Sequence, residues 1–188
     1  MEPVTLRTER LELSIPVESD ADAITAAAQD PEVPRWTVLP SPYRRADADT
    51  FLTMTAQRWD AGTDLVWAIR RDDAWVGMIG LHGVFVGGQA EIGYWMASTA
   101  RRQGYLTEAA RAVIDFSFAP EPLDLQRIEW RAVVGNVPSS RSARALGFRY
   151  EGVLRQGLAS PRGRYDGWIA GLLRADERTP QPWPNLED

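Results

Sequence analysis

"EIGYWMASTARRQGYLTEAARAV", residues 91–113, connects a predicted strand to a predicted helix through a short charged turn. Apolar side chains recur at helical spacing from Leu106 to Ile114, a pattern that predicts an amphipathic helix. Two arginines, a glutamine and a glycine come directly before it. The stretch therefore predicts a strand, a turn and a helix in succession, with positive charge concentrated where the helix begins.

The start of this helix has the properties of an anion-binding site. The first-turn amides of a helix have no partner within it and carry partial positive charge. Gly104 lets a ligand approach the backbone, and Arg101 and Arg102 suit phosphate oxygens. Alternatively, the arginines are surface charges and the glycine only tightens the turn. However, each arginine at this end opposes the helix dipole by roughly 0.3–1 kcal/mol, a cost that a bound anion would offset.

Length and composition indicate one globular domain. The chain has 188 residues, of which 44% are hydrophobic and 25% charged. No apolar run approaches the roughly 20 residues of a membrane span, and the first residues lack a signal-peptide pattern. We expect a soluble cytoplasmic protein with no membrane partner, a domain over residues 1–175, and a loose proline-rich tail over 176–188.

Several chemistries are excluded by the residues that the sequence lacks. There is no cysteine, which excludes thiolate metal sites and cysteine nucleophiles, and one histidine cannot form a multi-histidine site, so no metal is expected. All basic residues are arginine, which excludes Schiff-base lysines and a P-loop lysine. A net charge of −5 argues against nucleic-acid binding. His82 could act as a lone base, but a satisfied loop or strand-end histidine is the preferred interpretation.

The order of predicted elements is one strand, two helices, three strands, a helix, a strand, a helix and two strands. This order predicts a mixed α/β fold in which a largely antiparallel central sheet has helices on both faces. The penultimate helix is predicted to begin at Asn136 as its N-cap, with Pro138 in the first turn, and to end at Gly147.

An ordered series of motifs runs along most of the chain: "TERLEL", "DPEVPRW", "WAIRRDDAWVGMIGL", "AEIGYWM", "RRQGYLTEA", "LGFRYEGVLR" and "RYDGW". Together they resemble the Gcn5-related N-acetyltransferase (GNAT) superfamily over about residues 7 to 173, and within it the branch of ribosomal-protein alanine and serine N-acetyltransferases. The resemblance implies the acyl-CoA N-acyltransferase fold. It also implies transfer of an acetyl group from acetyl-CoA to a primary amine, on a protein N-terminus or a small molecule, by direct attack in a ternary complex. Relatives often form dimers, so a homodimer is expected.

The same resemblance implies which residues bind acetyl-CoA. The turn and helix start would hold the pyrophosphate through backbone amides; these residues are Arg101, Arg102, Gln103, Gly104, Tyr105, Leu106 and Thr107. The preceding strand, Tyr94, Trp95, Met96 and Ala97, would separate from its neighbour and pair with the pantetheine arm through free amides and carbonyls. An amide near Met96 would polarise the thioester carbonyl, and Asn136 would contact pantetheine.

Three further residues are expected to act as the general acid, as the general base and as a wall of the acceptor pocket. Ser139 stands where this branch carries a serine near the CoA sulfur, so it is the expected general acid; ordinary helix capping is the alternative. Glu91 is the expected base, acting through water; the alternative is a surface glutamate on a strand. Trp36, placed in the loop after "DPEVP", is expected to form a wall of the acceptor pocket.

Two departures from the family pattern leave other functions open. Leu106 stands where the superfamily's loop ends in glycine or alanine, and Ala143 stands where many relatives carry a general-acid tyrosine. The alternatives are a non-catalytic CoA-binding or interaction module on the same fold, use of another acyl-CoA, or a polyamine or antibiotic acceptor.

Overall fold

The computed structural model describes residues 1–184 and 186, and these form one continuous sheet flanked by helices. The strands are β1 (Leu6–Arg7), β2 (Glu12–Ser14), β3 (Asp64–Arg71), β4 (Ala74–Val86), β5 (Gln89–Met96), β6 (Arg127–Val133), β7 (Arg149–Ser160) and β8 (Gly163–Leu173). The helices are α1 (Ala21–Ala27), α2 (Glu32–Trp36), α3 (Arg45–Ala61), α4 (Tyr105–Phe118) and α5 (Val137–Ala145).

The strand order is β1-β2-β3-β4-β5-β6-β8-β7. Every neighbouring pair is antiparallel except β5 and β6, which are parallel and are connected through α4. The β5–β6 pairing ends at Ile92 and Trp130, although β5 continues for four residues and β6 for three. The predicted mixed, largely antiparallel sheet is confirmed, and it has a gap between β5 and β6.

Two apolar layers cover the two faces of the sheet. The larger core joins α4 and α5 to the strands, and the stripe predicted for α4 is buried in it: Ala109, Ala110, Val113 and Ile114. A smaller layer on the opposite face brings α1 and α3 against Val66, Ala68 and Met78. Helices on both faces were therefore correctly predicted. No helix in the part of the chain that the structure describes combines the length and apolarity needed to cross a bilayer.

The structure differs from the predicted elements at three places, and the first is an additional short strand, β1, before the predicted first strand. Trp36 does not lie in a loop, as predicted, but ends the short helix α2, because Pro34 falls within the first turn, where its missing N–H removes no helical bond. The last hairpin also extends beyond the predicted strands. The pairing of β7 with β8 shifts register between Leu154 and Leu158 and then continues to Ser160. The strand therefore passes through a glycine-containing stretch that is typical of a turn.

Trp183 packs on the domain, although the sequence predicts a loose tail at this position. Trp183 is only 2% exposed, its indole N–H donates to the carbonyl of Phe148, and its ring contacts Trp130 and Tyr150. Burial of an aromatic side chain of this size outweighs the loose character that the surrounding prolines suggest. Residues 185, 187 and 188 of the predicted tail lie outside the described residues.

Asp20 connects the start of α1 to the sheet. It stands at the N-cap of α1, but its carboxylate accepts from the amide of Val17 and from both terminal nitrogens of Arg70, at 2.6 and 2.7 Å, instead of from the first turn. Ser14 accepts from the Nε of the same arginine. The ion pair is almost fully enclosed, and Asp20 raises the pKa of the Arg70 guanidinium.

Removing this carboxylate should be costly. Asp20→Ala leaves a buried guanidinium without its counter-ion, so we expect the free energy of unfolding to fall by about 3–5 kcal/mol. Urea denaturation followed by tryptophan fluorescence measures it. Asp22→Ala is the matched control, because its carboxylate is exposed and pairs with Arg45 at the surface, where such a pair contributes less than about 1 kcal/mol. Equal losses for both variants would contradict this role for Asp20.

Candidate active site

Beyond its last pair with β6, β5 has backbone groups that face the gap in the sheet. The amide of Ala97 donates to the carbonyl of Val76 on β4. Since hydrogen-bonding positions alternate along an antiparallel pair, the N–H and C=O groups of Tyr94 and Met96 point away from β4. They are directed into the space that β6 has left.

Arg101 occupies one of these backbone groups. Its guanidinium donates to the carbonyl of Met96 at 3.2 and 3.3 Å and pairs with Asp30 at 2.8 Å. The expectation that the carbonyls of this segment are free is therefore wrong for Met96. Arg101 connects the α1–α2 turn to the end of β5, and its charge is balanced by a carboxylate.

The start of α4 has the geometry expected of an anion site. Gly104 is its N-cap with φ 78°, in the left-handed region that glycine adopts without strain, and no side chain caps the first turn. Glu108 does not serve as a cap, because its carboxylate bonds Thr8 and Arg10. Arg102 is exposed and has no ion-pair partner among the described residues. The first-turn amides and one unpaired guanidinium are thus available to an anion.

Leu106 lies between the core and this site. Its side chain is partly buried and packs against the main core, yet the residue also forms part of the adjoining cavity wall. Because the side chain packs into the core, it does not cover the start of the helix. The leucine at this position is therefore compatible with a ligand on the first-turn amides.

A cavity of about 490 Å³ lies between the end of β5 and the starts of α4 and α5. The predicted site residues in its wall are Trp36, Tyr94, Trp95, Met96, Arg101, Arg102, Gly104, Tyr105, Leu106, Thr107, Asn136 and Ser139. Gln103 and Ala97, also predicted, lie outside this wall; the Gln103 amide donates to the carbonyl of Thr99. Because this cavity contains the helix start, we call it the donor cavity.

A second cavity of about 550 Å³, the acceptor cavity, lies on the other side of the gap. Its wall carries the predicted base Glu91, together with His82 and Arg131. The tip of the β7–β8 hairpin closes one side, because the Arg162 guanidinium donates to the carbonyls of Pro34, Thr37 and Leu39 after the start of α2.

The two cavities share six wall residues: Trp36, Thr37, Tyr94, Trp95, Asn136 and Ser139. Two of them, Tyr94 and Ser139, carry hydroxyl groups that contact each other. A group entering from either cavity therefore reaches the same small polar centre.

That centre is a hydrogen-bonded set of three side chains. The indole N–H of Trp130 donates to Ser139 Oγ at 3.1 Å, and Ser139 Oγ lies 3.3 Å from Tyr94 Oη. The amide of Ser139 donates to Asn136 Oδ1, so the predicted N-cap is confirmed. Burial raises the pKa of Tyr94 to about 12, and the tyrosine hydroxyl therefore keeps its proton at neutral pH.

The acceptor cavity contains a second group of ionisable side chains. Burial raises the pKa of Glu91, although Arg131, with its Nε 3.7 Å from the carboxylate, opposes this shift. His82 Nδ1 lies 3.8 Å from Asp64 Oδ1. The pKa of Asp64 is lowered from 3.8 to about 2, mainly by the His82 imidazole. The hydrogen bond from the Gly83 amide lowers it further.

Several of these relations could not be found in the sequence. The Tyr94 hydroxyl, the indole of Trp130 and the guanidinium of Arg162 were not assigned these contacts, because each contact joins segments far apart in the chain. The sequence favours a satisfied loop or strand-end histidine at His82. In the structure this residue forms part of the acceptor-cavity wall. Its one local signal was that it is the single histidine of the chain.

Comparison with known proteins identifies the class that this fold and site define. The family described as acetyltransferase (GNAT) domain matches residues 10–149, and the chain belongs to this family. It is an acetyl-CoA-dependent N-acetyltransferase and transfers an acetyl group to an amine.

Among its relatives, the uncharacterised N-acetyltransferase YoaA of Bacillus subtilis (strain 168) is 30% identical over 175 residues, which cover 92% of this chain and 98% of YoaA. The putative ribosomal N-acetyltransferase YdaF of the same organism is 41% identical over 106 residues, covering 56% of this chain and 57% of YdaF. Mycobacterium smegmatis RimJ, solved in complex with CoA-disulfide, shares the fold: the TM-score is 0.83 at 23% identity, covering 92% of this chain and 90% of that one. The similarity to RimJ shows a shared fold, and the similarity to YdaF extends over about half of each chain.

Of the two arginines before α4, we expect Arg102 to contribute more to acetyl-CoA affinity, because the charge of Arg101 is already balanced by Asp30. Arg102→Ala removes the unpaired charge, and we expect it to weaken acetyl-CoA binding roughly 10-fold, the size of one charge-assisted hydrogen bond. Calorimetric titration at low and high salt measures this, and the loss should shrink as salt screens the charge. Arg111→Ala is the matched control, because Arg111 is exposed farther along α4. An unchanged affinity in Arg102→Ala would show that no anion contacts this side chain.

Proposed function

We propose that the chain acetylates a primary amine by direct attack on acetyl-CoA while both substrates are bound. The observation that carries the proposal is the junction of the donor and acceptor cavities at Tyr94 and Ser139. The chain has no cysteine to form a thioester intermediate. A single transfer at the junction therefore accounts for the arrangement without a covalent enzyme intermediate.

The donor cavity fits acetyl-CoA. Its pyrophosphate would lie on the uncapped amides of residues 104–107 near Arg102, as on other helix N-termini. The pantetheine arm would pair with the backbone of Tyr94 that faces the gap. The amide of Met96, which points the same way, would donate to the thioester oxygen as negative charge develops there.

The leaving thiolate needs a proton, and the Ser139–Tyr94 pair is the proposed source. Ser139 is the expected general acid and lies on both cavities. Ser139 Oγ donates to Tyr94 Oη at 3.3 Å, and Tyr94 Oη donates to the backbone carbonyl of Ser139 at 3.2 Å. Rotation of the two hydroxyls would let Tyr94 replace the proton that Ser139 gives up. The Trp130 indole holds Ser139 Oγ at this point.

The acceptor ammonium must lose a proton before its nitrogen can attack. Glu91 is the proposed base, acting through a water molecule, and its wall position is consistent with an ammonium close to the junction. The elevated pKa of this carboxyl makes it a stronger base than an ordinary glutamate.

The proposed acceptor is the N-terminal amine of a protein, since YdaF carries the name of a ribosomal N-acetyltransferase. A small-molecule primary amine is the alternative, and the size of the acceptor cavity supports it. A cytoplasmic location and a homodimer belong to the same proposal.

Steady-state kinetics test the reaction itself. Acetyl-CoA and an acceptor are varied together, with peptides beginning in Ala or Ser in one panel and small primary amines in another. CoA thiol release and the mass of the acetylated product are measured. A ternary complex predicts intersecting double-reciprocal lines. Parallel lines would contradict direct attack, and no thiol release with any amine would contradict the function.

Ser139 and Tyr94 should act on the same proton. We expect Ser139→Ala to lower kcat about 100-fold with little change in acetyl-CoA affinity, and Tyr94→Phe to lower kcat less. The double variant should be no slower than Ser139→Ala alone, because the tyrosine acts through the serine. Ser19→Ala, at an exposed serine outside both cavities, is the control. A wild-type kcat in Ser139→Ala would remove Ser139 as the acid.

A further inference from the structure

We propose that His82 is a second proton-transfer residue of this reaction: it receives the acceptor's proton through the water at Glu91 and passes it to solvent, with Asp64 as its positioning residue. This inference rests on the proposed function. It adds to Glu91 a pathway by which the proton leaves the acceptor cavity.

The sheet register places His82 beside the proposed base. His82 on β4 and Glu91 on β5 are direct cross-strand partners. Directly opposite residues of an antiparallel pair have their Cβ atoms roughly 4.5–5.5 Å apart on the same face. Both residues belong to the acceptor-cavity wall, so one water molecule can contact both side chains.

Two glycines let the imidazole lie over the sheet toward the junction. Gly80 and Gly93 are also cross-strand partners, two pairs nearer to Tyr94. A Cβ added at Gly93 would lie 3.2 Å from His82 Nε2, and one added at Gly80 would lie 3.3 Å from it. Any side chain at either position would crowd the ring. The absence of side chains there leaves Nε2 next to the strand segment that leads to the reaction centre.

Asp64 lies on the other side of the ring. It is the cross-strand partner of His82 on β3, and its Oδ1 lies 3.8 Å from His82 Nδ1. The Gly83 amide donates to Asp64 at 2.9 Å and Arg58 donates to it at 2.8 Å, so the carboxylate has a fixed position. Its low pKa keeps it anionic at neutral pH. A fixed anion beside Nδ1 favours the tautomer in which Nε2 is free to accept a proton.

The charged side chains around His82 come from four elements, and each carboxylate among them is paired with a guanidinium. Asp64 on β3 pairs with Arg58 on α3, and Glu91 on β5 faces Arg131 on β6. Glu129 on β6 pairs with the same Arg131 at 2.5 Å. His82 itself is 44% exposed. A proton on this imidazole therefore has anions on two sides and direct access to solvent.

The proposed step conserves atoms and charge. The ammonium N–H bond breaks, its electron pair stays on nitrogen, and the proton passes through water to Glu91 and from there to Nε2. The nitrogen then attacks the acetyl carbon, the carbon–sulfur bond breaks, and the thiolate takes a proton from Ser139. The second nitrogen proton returns to the Ser139–Tyr94 pair, and the imidazolium releases its proton to solvent. One proton leaves per acetylated amine.

The first experiment compares pH profiles of kcat in the wild-type protein and in His82→Gln. Glutamine fills a similar volume but cannot take up a proton near neutral pH. We expect kcat to fall about 100-fold, with acetyl-CoA affinity unchanged. We also expect the pH dependence of kcat to change in His82→Gln, because the variant lacks the imidazole. A wild-type kcat and an unchanged profile in His82→Gln would overturn the proposal.

Chemical rescue provides the second readout. His82→Ala leaves space beside the two glycines, so added imidazole should restore its rate in proportion to the neutral imidazole concentration. His82→Gln has no such space and should show no response, which makes it the matched control. Failure of imidazole to accelerate a folded His82→Ala, with folding checked by acetyl-CoA binding, would also overturn the proposal.

The positioning role of Asp64 is tested separately. Asp64→Asn should lower kcat less than His82→Gln and should add nothing in the double variant, whereas Asp60→Asn at an exposed site should leave kcat unchanged. Additive effects of Asp64→Asn and His82→Gln would overturn the positioning role. Failure of the proposed function is distinguishable from all these results, because the wild-type protein would then release no CoA thiol with any amine.

Discussion

The hydrogen bonds between β5 and β6 end at Ile92 and Trp130, and the rest of the site depends on this early end. If the two strands remained paired, the backbone groups of Tyr94 and Met96 would be satisfied within the sheet. Because they diverge, polar backbone faces a space that a ligand can fill, and burying such groups without a partner would be costly. The gap is therefore both a structural exception and the place where two cavities meet.

Long-range contacts fix the elements that surround this gap. Arg101 connects the end of β5 to the α1–α2 turn through Asp30, and Asp20 connects α1 to β3 through Arg70. On the far side, Arg162 holds the tip of the last hairpin against the segment after α2. These contacts join segments that are distant in sequence, so the geometry of the site depends on the assembled fold.

Local patterns predicted a large part of the fold and of the donor side. The apolar stripe of α4, the glycine at its start and the N-cap at Asn136 each depend on neighbouring residues, and the structure has all three. Long-range contacts could not be predicted in this way. Trp183 lies among prolines typical of a loose end, and only the assembled core provides the space that buries it. Arg101 likewise has the local pattern of a phosphate ligand, but Asp30 reaches it only after folding.

The acceptor side was the least predictable part of the chain. Its wall combines residues from three helices, from the four strands β3 to β6 and from the last hairpin, and no spacing in the sequence connects them. His82 illustrates the difficulty, because its relation to Asp64 and Glu91 follows from strand register. A one-residue change of register would place these side chains on opposite faces.

Amide hydrogen exchange with and without acetyl-CoA tests most directly whether the gap is the donor site. We expect saturating acetyl-CoA to slow exchange at the amides of Tyr94 and Met96 and at residues 102–107, while the amides of β7 remain unchanged. Binding of acetyl-CoA without protection of the Tyr94 and Met96 amides would contradict the central role assigned to the gap between β5 and β6.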